Sequence, residues 1–139
     1  MLLSKEQINR HTPEMADLYR THLEEELVPG LIHFGVFDQT LAGEVIKAIA
    51  AIKNYGGQWF LWGCVVKPDY RGQELQKQLV NERLEYLKSR TDNARVYIEP
   101  WNSASIANLQ AAGFEYQGQT IHEDGETIMS VYRLEWKRD

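Results

Sequence analysis

Trp59-Phe60-Leu61-Trp62-Gly63-Cys64-Val65-Val66-Lys67-Pro68-Asp69-Tyr70-Arg71-Gly72 joins an unbroken apolar run to an abrupt stop. Residues 59–66 are too continuously apolar for a half-exposed strand and suit one covered on both faces. The stop follows from Pro68, which cannot donate to a strand ladder, and from Gly72, which permits a sharp reversal. Beyond it, Leu75, Leu79, Val80, Leu84 and Leu87 form one apolar stripe and predict a helix over residues 74–89. Arg95-Val96-Tyr97-Ile98-Glu99 reads as a second strand, cut off by Pro100. Two strands joined through such a helix should lie parallel with a right-handed crossover. A ligand crevice is then expected at their carboxyl ends, near Arg71 to Lys77 and Trp101-Asn102. Asn102-Ser103 can cap a last helix over residues 104–112, ended by Gly113.

That order, from Val66 through the amphipathic helix, the short strand, Asn102 and the Ala-rich helix to Gly113-Phe114, resembles the core of the GNAT superfamily of acyl-CoA N-acyltransferases. The resemblance implies an α+β fold in one domain spanning residues 1–139: a mixed, mostly antiparallel twisted sheet with a central splayed parallel pair, flanked by helices. It implies transfer of an acetyl group from acetyl-CoA to an amine of a small molecule or protein. The pantetheine would pair with backbone at Cys64, Val65 and Val66. The pyrophosphate would rest on N–H groups from Gly72 through Gln73, Glu74, Leu75 and Gln76 to Lys77, flanked by Arg71, with Asn102 also at the cofactor. Four unpaired N–H groups and the helix dipole make such an anion site without special side chains.

Two departures from the family pattern bear on activity. The family loop runs Arg or Gln, two residues of any type, Gly, any residue, then Gly or Ala; here Glu74 and Gln76 fill the two small positions of Arg71-Gly72-Gln73-Glu74-Leu75-Gln76. A glutamate facing pyrophosphate would weaken binding by about 1–3 kcal/mol. The same carboxylate in a first helical turn stabilises the helix by about 0.3–1 kcal/mol. Seven residues after Asn102, where relatives commonly carry a proton-donating tyrosine, stands Leu109, and the usual acidic base five residues before Asn102 is Tyr97. Tyr97 and Glu99 are the candidate catalytic residues, with Glu44 and His33 as further conceivable bases. A second reading therefore stands beside the first: a GNAT-like chain that no longer binds CoA and acts as a binding or assembly module through its four tryptophans and seven tyrosines.

Composition narrows the classes. The chain has 139 residues, 43% hydrophobic and 25% charged, which suits one domain with a real core. A net charge of −5 argues against a nucleic-acid groove. Cys64, the single cysteine, excludes an internal disulfide and a cysteine-based metal site, and is expected to pack as a small apolar residue. The early charges at Lys5 and Glu6 are unlike a signal peptide, and no apolar run approaches the 18 or so residues of a membrane span, so the expected compartment is the cytoplasm.

In the remaining chain, residues 4–10 suggest a helical turn. Thr12-Pro13-Glu14 suggests the start of a helix reaching about residue 27, stopped by Pro29-Gly30. Residues 31–37 alternate as a strand, turning at Asp38-Gln39-Thr40. Residues 41–53 fit a helix by spacing and alanine content, but Val45, Ile46, Ile49 and Ile52 and the family order favour a strand. Residues 115–121 and 128–136 form a hairpin around Glu123-Asp124-Gly125-Glu126. Only residues 1–4 are left for a first strand, and an exposed edge near residue 31 or 136 would suit a sheet-extending homodimer.

Overall fold

A computed structural model describes residues 1–137. Helix α1 (Lys5–Leu23) leads into β1 (Ile32–Thr40), β2 (Gly43–Tyr55) and β3 (Gln58–Val66); after a tight turn at Pro68–Tyr70 come α2 (Leu75–Lys88), β4 (Asn93–Ile98), α3 (Ser103–Ala111), β5 (Glu115–Ile121) and β6 (Ile128–Glu135). The six strands form one sheet in the order β1-β2-β3-β4-β6-β5. β3 and β4 are parallel and all other pairs antiparallel, the mixed sheet with a central parallel pair expected from the sequence.

Residues 41–53 fall in a strand, and the burial of β2 explains their helix-like spacing. Ala48, Ala50 and Ile52 join the core beneath α2, whereas Ile46 and Ile49 pack under α1. A strand covered on both faces loses its polar alternation. The preceding turn falls at Leu41-Ala42, later than Asp38-Gln39-Thr40, because β1 and β2 stay paired out to Thr40 and Gly43.

α1 corrects the expected break at Thr12-Pro13. Ser4 and Gln7 form a capping box, and one helix runs through Pro13 to Leu23. Its inward stripe is Gln7, His11, Met15 and Tyr19, spaced four apart, and the first two are polar. Glu44 on β2 satisfies both: Gln7 Nε2 donates to its carboxylate at 3.1 Å, and His11 Nε2 lies 3.0 Å away. Apolar periodicity does not register such a stripe. Pro13 sits on the exposed face, where the carbonyl it leaves without an N–H partner can meet water. The helix ends at Leu23, short of residue 27, because Glu24 turns left-handed (φ 53°) and the Glu25 N–H closes back on the Tyr19 carbonyl.

At the sheet's edges, β6 lies between β4 and β5, so residue 136 does not border an open edge; the edge strands are β1 and β5. Beside β1, Leu2 bridges Phe34, a remnant where a first strand would lie.

Candidate functional site

β3 and β4 share one backbone pair, Phe60 with Arg95, and then part. Two features hold them open. Gly63 is an extra residue in β3, placed between the Ala50–Cys64 and Ala51–Trp62 pairs, and its φ of 60° is one that glycine adopts without strain. On the α1 side, Tyr19 packs so close that a Cβ at Gly63 would lie 2.8 Å from its ring. The strands therefore diverge around a cavity of about 460 Å³ that reaches both faces of the sheet.

On the α2 side the cavity is lined by Gln76, Val80, Arg83, Asn102, Ser105 and Leu109. On the α1 side it is lined by Leu23 at the end of α1 and Glu25 and Val28 after it, with Lys53 and Tyr55, and with Ile121 at the end of β5 and His122 and Glu123 after it. β3 contributes Cys64 to the wall, β4 contributes Tyr97, and Glu99 follows directly after β4. The rings of Phe60 and Tyr97 meet at 5.1 Å between centroids, tilted by 57°.

The fold thus gathers Cys64, Gln76, Tyr97, Glu99 and Asn102 around one cavity. Val65 and Val66 lie on the same strand, but Val65 turns into the α1 core. The start of α2 is arranged differently. Arg71 is exposed and its N–H closes on the Pro68 carbonyl; Leu75 packs into the core; Gln73, Glu74 and Lys77 border a separate shallow depression with Asn81 and Glu82. Glu74 is the N-cap residue, left-handed at φ 59°, exposed, and makes no capping hydrogen bond. Gln76 is tied to α3: its Nε2 donates to Ser105 Oγ at 2.6 Å, and Asn108 Nδ2 donates to its Oε1 at 3.2 Å. Within α2 the first ladder bond runs from Gln78 N–H to the Glu74 carbonyl, so the N–H groups of Leu75, Gln76 and Lys77 precede the ladder.

Of the other suggested bases, neither reaches the cavity. Glu44 is committed to His11, Gln7 and Gln39, and those hydrogen bonds, His11 first, hold its carboxyl below the usual range. His33 is buried in β1, and desolvation lowers its pKa. The sequence reading missed Glu25, His122 and Glu123, which come from loops remote in sequence. Burial pushes the Glu25 carboxyl up; His122, 3.8 Å away, draws it back, and Glu99 and Glu123 add to the rise. Arg83 was also missed, although it stands four residues after Leu79 on the buried stripe of α2, where a charge is out of place.

Among the described residues no helix is long and apolar enough to cross a membrane, and no three His, Cys, Asp or Glu side chains are grouped to hold a metal ion.

No curated protein matches the sequence. Among solved structures, the chain is similar to the ribosomal-protein-S18-alanine N-acetyltransferase of Escherichia coli, with 17% identity and a TM-score of 0.73 over 100% of this chain and 94% of that one. It is similar to a putative acetyltransferase of Salmonella typhimurium with its cofactor acetyl-CoA, at 13% identity and TM-score 0.75, over 100% and 94% of the two chains. It is likewise similar to a chain of the NatC complex bound to Gag peptide and CoA, at 13% identity and TM-score 0.81, over 99% and 97%. At such identities the likeness speaks for the fold alone. The family model of the acetyltransferase (GNAT) family matches residues 2–114, and with the parted parallel strands in view, the chain belongs to that family.

Proposed function

We propose that the protein is an N-acyltransferase that moves an acetyl group from acetyl-CoA to a primary amine. The observation that carries this reading is the cavity between β3 and β4, which opens to both sheet faces and lets a thioester and an amine meet from opposite sides. Beyond Phe60 the β4-side edge of β3 is unbonded to β4, which leaves strand backbone free to pair with an extended amide-bearing arm. The N–H groups of Leu75, Gln76 and Lys77 suit the negative charge of a pyrophosphate. These features fit acetyl-CoA, with Glu74 as the one opposing charge.

Acetyl-CoA supplies the acyl group already activated as a thioester. The chain's part is chiefly to orient the reactants and to desolvate them. Glu25, Glu99 and Glu123 make the α1-side mouth acidic, which suits an acceptor that arrives as an ammonium ion. Attack requires the neutral amine, so a carboxylate must take its proton, directly or through water; Glu99 and the raised Glu25 fill that role, with Tyr97 shaping the aromatic wall.

Isothermal calorimetry with acetyl-CoA, followed by thiol release with a panel of primary amines, tests the reading. Micromolar binding with amine-dependent thiol release is expected. Absence of binding would favour the second reading, a GNAT-fold binding module, for which the left-handed Glu74 and the tethered Gln76 at the cofactor end of α2 are the specific observations.

A further inference from the structure

Arg83 lines the cavity and forms no ion pair among the described residues. Arg83 is only 3% exposed. Its Nε donates to the Leu79 carbonyl at 3.1 Å, and its Nη1 donates to the Ala51 carbonyl at 3.1 Å and to the Gly63 carbonyl at 3.2 Å. The last two acceptors are the bulged residue and Ala51 beside it on β2, so the guanidinium is fixed where the β2–β3 register shifts. Nη2 has no acceptor among the described residues, although Arg83 borders the cavity.

The ionisable groups that act electrostatically on the guanidinium are Cys64 on β3 and Tyr19 on α1, and burial pushes both upward, so both are neutral near pH 7. Neither cancels the charge. Lys53 of β2, Tyr97 of β4, Glu99 just after it, and Glu25, His122 and Glu123 line the same cavity from its α1 side. α3 presents Leu109, which has no proton to give, and Ser105, whose Oγ accepts from Gln76 Nε2 at 2.6 Å.

We propose that Arg83 is the catalytic residue that stabilises the departing sulfur of CoA as a thiolate. The inference rests on the acyltransferase reading above. In the transfer, the amine lone pair forms the N–C bond at the thioester carbonyl carbon. The C–S bond breaks with its electron pair passing to sulfur, and the surplus ammonium proton leaves through a mouth carboxylate to water. The sulfur therefore departs as an anion and needs no acid, provided that a fixed positive charge faces it. A guanidinium held by three carbonyls in a desolvated wall is such a charge, oriented before the reaction begins.

The test needs no acceptor. CoA and desulfo-CoA, which lacks the thiol, are titrated calorimetrically into the native protein from about pH 7 to about pH 9.5, across the ordinary thiol range. Thiolate stabilisation predicts that CoA affinity rises with pH relative to desulfo-CoA, about tenfold for each unit by which the bound thiol's pKa is lowered. Arg83→Gln should abolish that rise and leave desulfo-CoA affinity within about threefold, whereas Arg83→Lys should retain part of it. Parallel affinities of the two ligands in the native protein would overturn the proposal and leave the acyltransferase reading standing, whether or not the variants fold. Failure of both ligands to bind would remove the acyltransferase reading and this proposal together.

Discussion

Glu74→Gly separates two effects that the loop sequence runs together. Glu74 holds φ 59° and ψ 29°, is exposed, and makes no capping hydrogen bond, so its removal forfeits no contact of that kind. A side chain in the left-handed region costs about 1–2 kcal/mol, while glycine adds about 0.5–1 kcal/mol of unfolded-state freedom. The variant should therefore lie between unchanged and about 1.5 kcal/mol more stable, a thermal midpoint up to roughly 5 °C higher. Its effect on acetyl-CoA is electrostatic. Removing one carboxylate beside the first N–H groups of α2 should tighten binding by about 1–2 kcal/mol, or about 5- to 30-fold, and the gain should shrink as salt screens it. Gln76→Gly should do the reverse. It breaks the hydrogen bonds to Ser105 and Asn108, each worth about 0.5–1.5 kcal/mol, and places glycine in the first helical turn. Differential scanning calorimetry and acetyl-CoA titrations at two salt concentrations read both outcomes. A Glu74→Gly protein less stable by more than about 1 kcal/mol, or tighter binding by Gln76→Gly alone, would refute this account of the loop.

Three further outcomes follow from the structure. Gly63→Ala should lose about 2–4 kcal/mol in urea unfolding, because it adds left-handed strain to a 2.8 Å approach to Tyr19. Glu44 has a folded pKa below its ordinary 4.5, so its contribution is present above about pH 4.5 and is lost as pH falls through the lowered folded value. Glu44→Gln should accordingly cost about 0.5–1.5 kcal/mol at pH 7, and its urea midpoint should converge on the native one in acid. Glu99→Gln and Glu25→Gln should each lower kcat with an amine acceptor by about tenfold or more while leaving acetyl-CoA affinity within about twofold; unchanged kcat in both would exclude these carboxylates as proton acceptors.

Much of the fold was readable because it depends on local patterns. The apolar run at residues 59–66, the stripe from Leu75 to Leu87 and the Asp-Gly turn at residues 124–125 each report a local choice. The turn is secured by Asp124: its Oδ2 accepts from the Thr127 hydroxyl and its Oδ1 from the Thr127 and Glu126 N–H groups, which together hold its carboxyl down at about 2. α1 was harder to read because its inward face begins with Gln7 and His11, whose burial makes sense only with Glu44 opposite, and Glu44 lies more than 30 positions later in the chain.

The sequence alone carried the order of most elements and the parallel central pair, because periodicity, turn chemistry and capping act over a few residues, and the resemblance of that order pointed to the family. Only the tertiary structure decided what surrounds the parted strands. Arg83 gains its role from backbone carbonyls of two strands, and the acidic mouth is assembled from Glu25, Glu99 and Glu123, spread over nearly the whole chain. Such a site has no local signature, since its charges act through space and become neighbours only when the sheet closes.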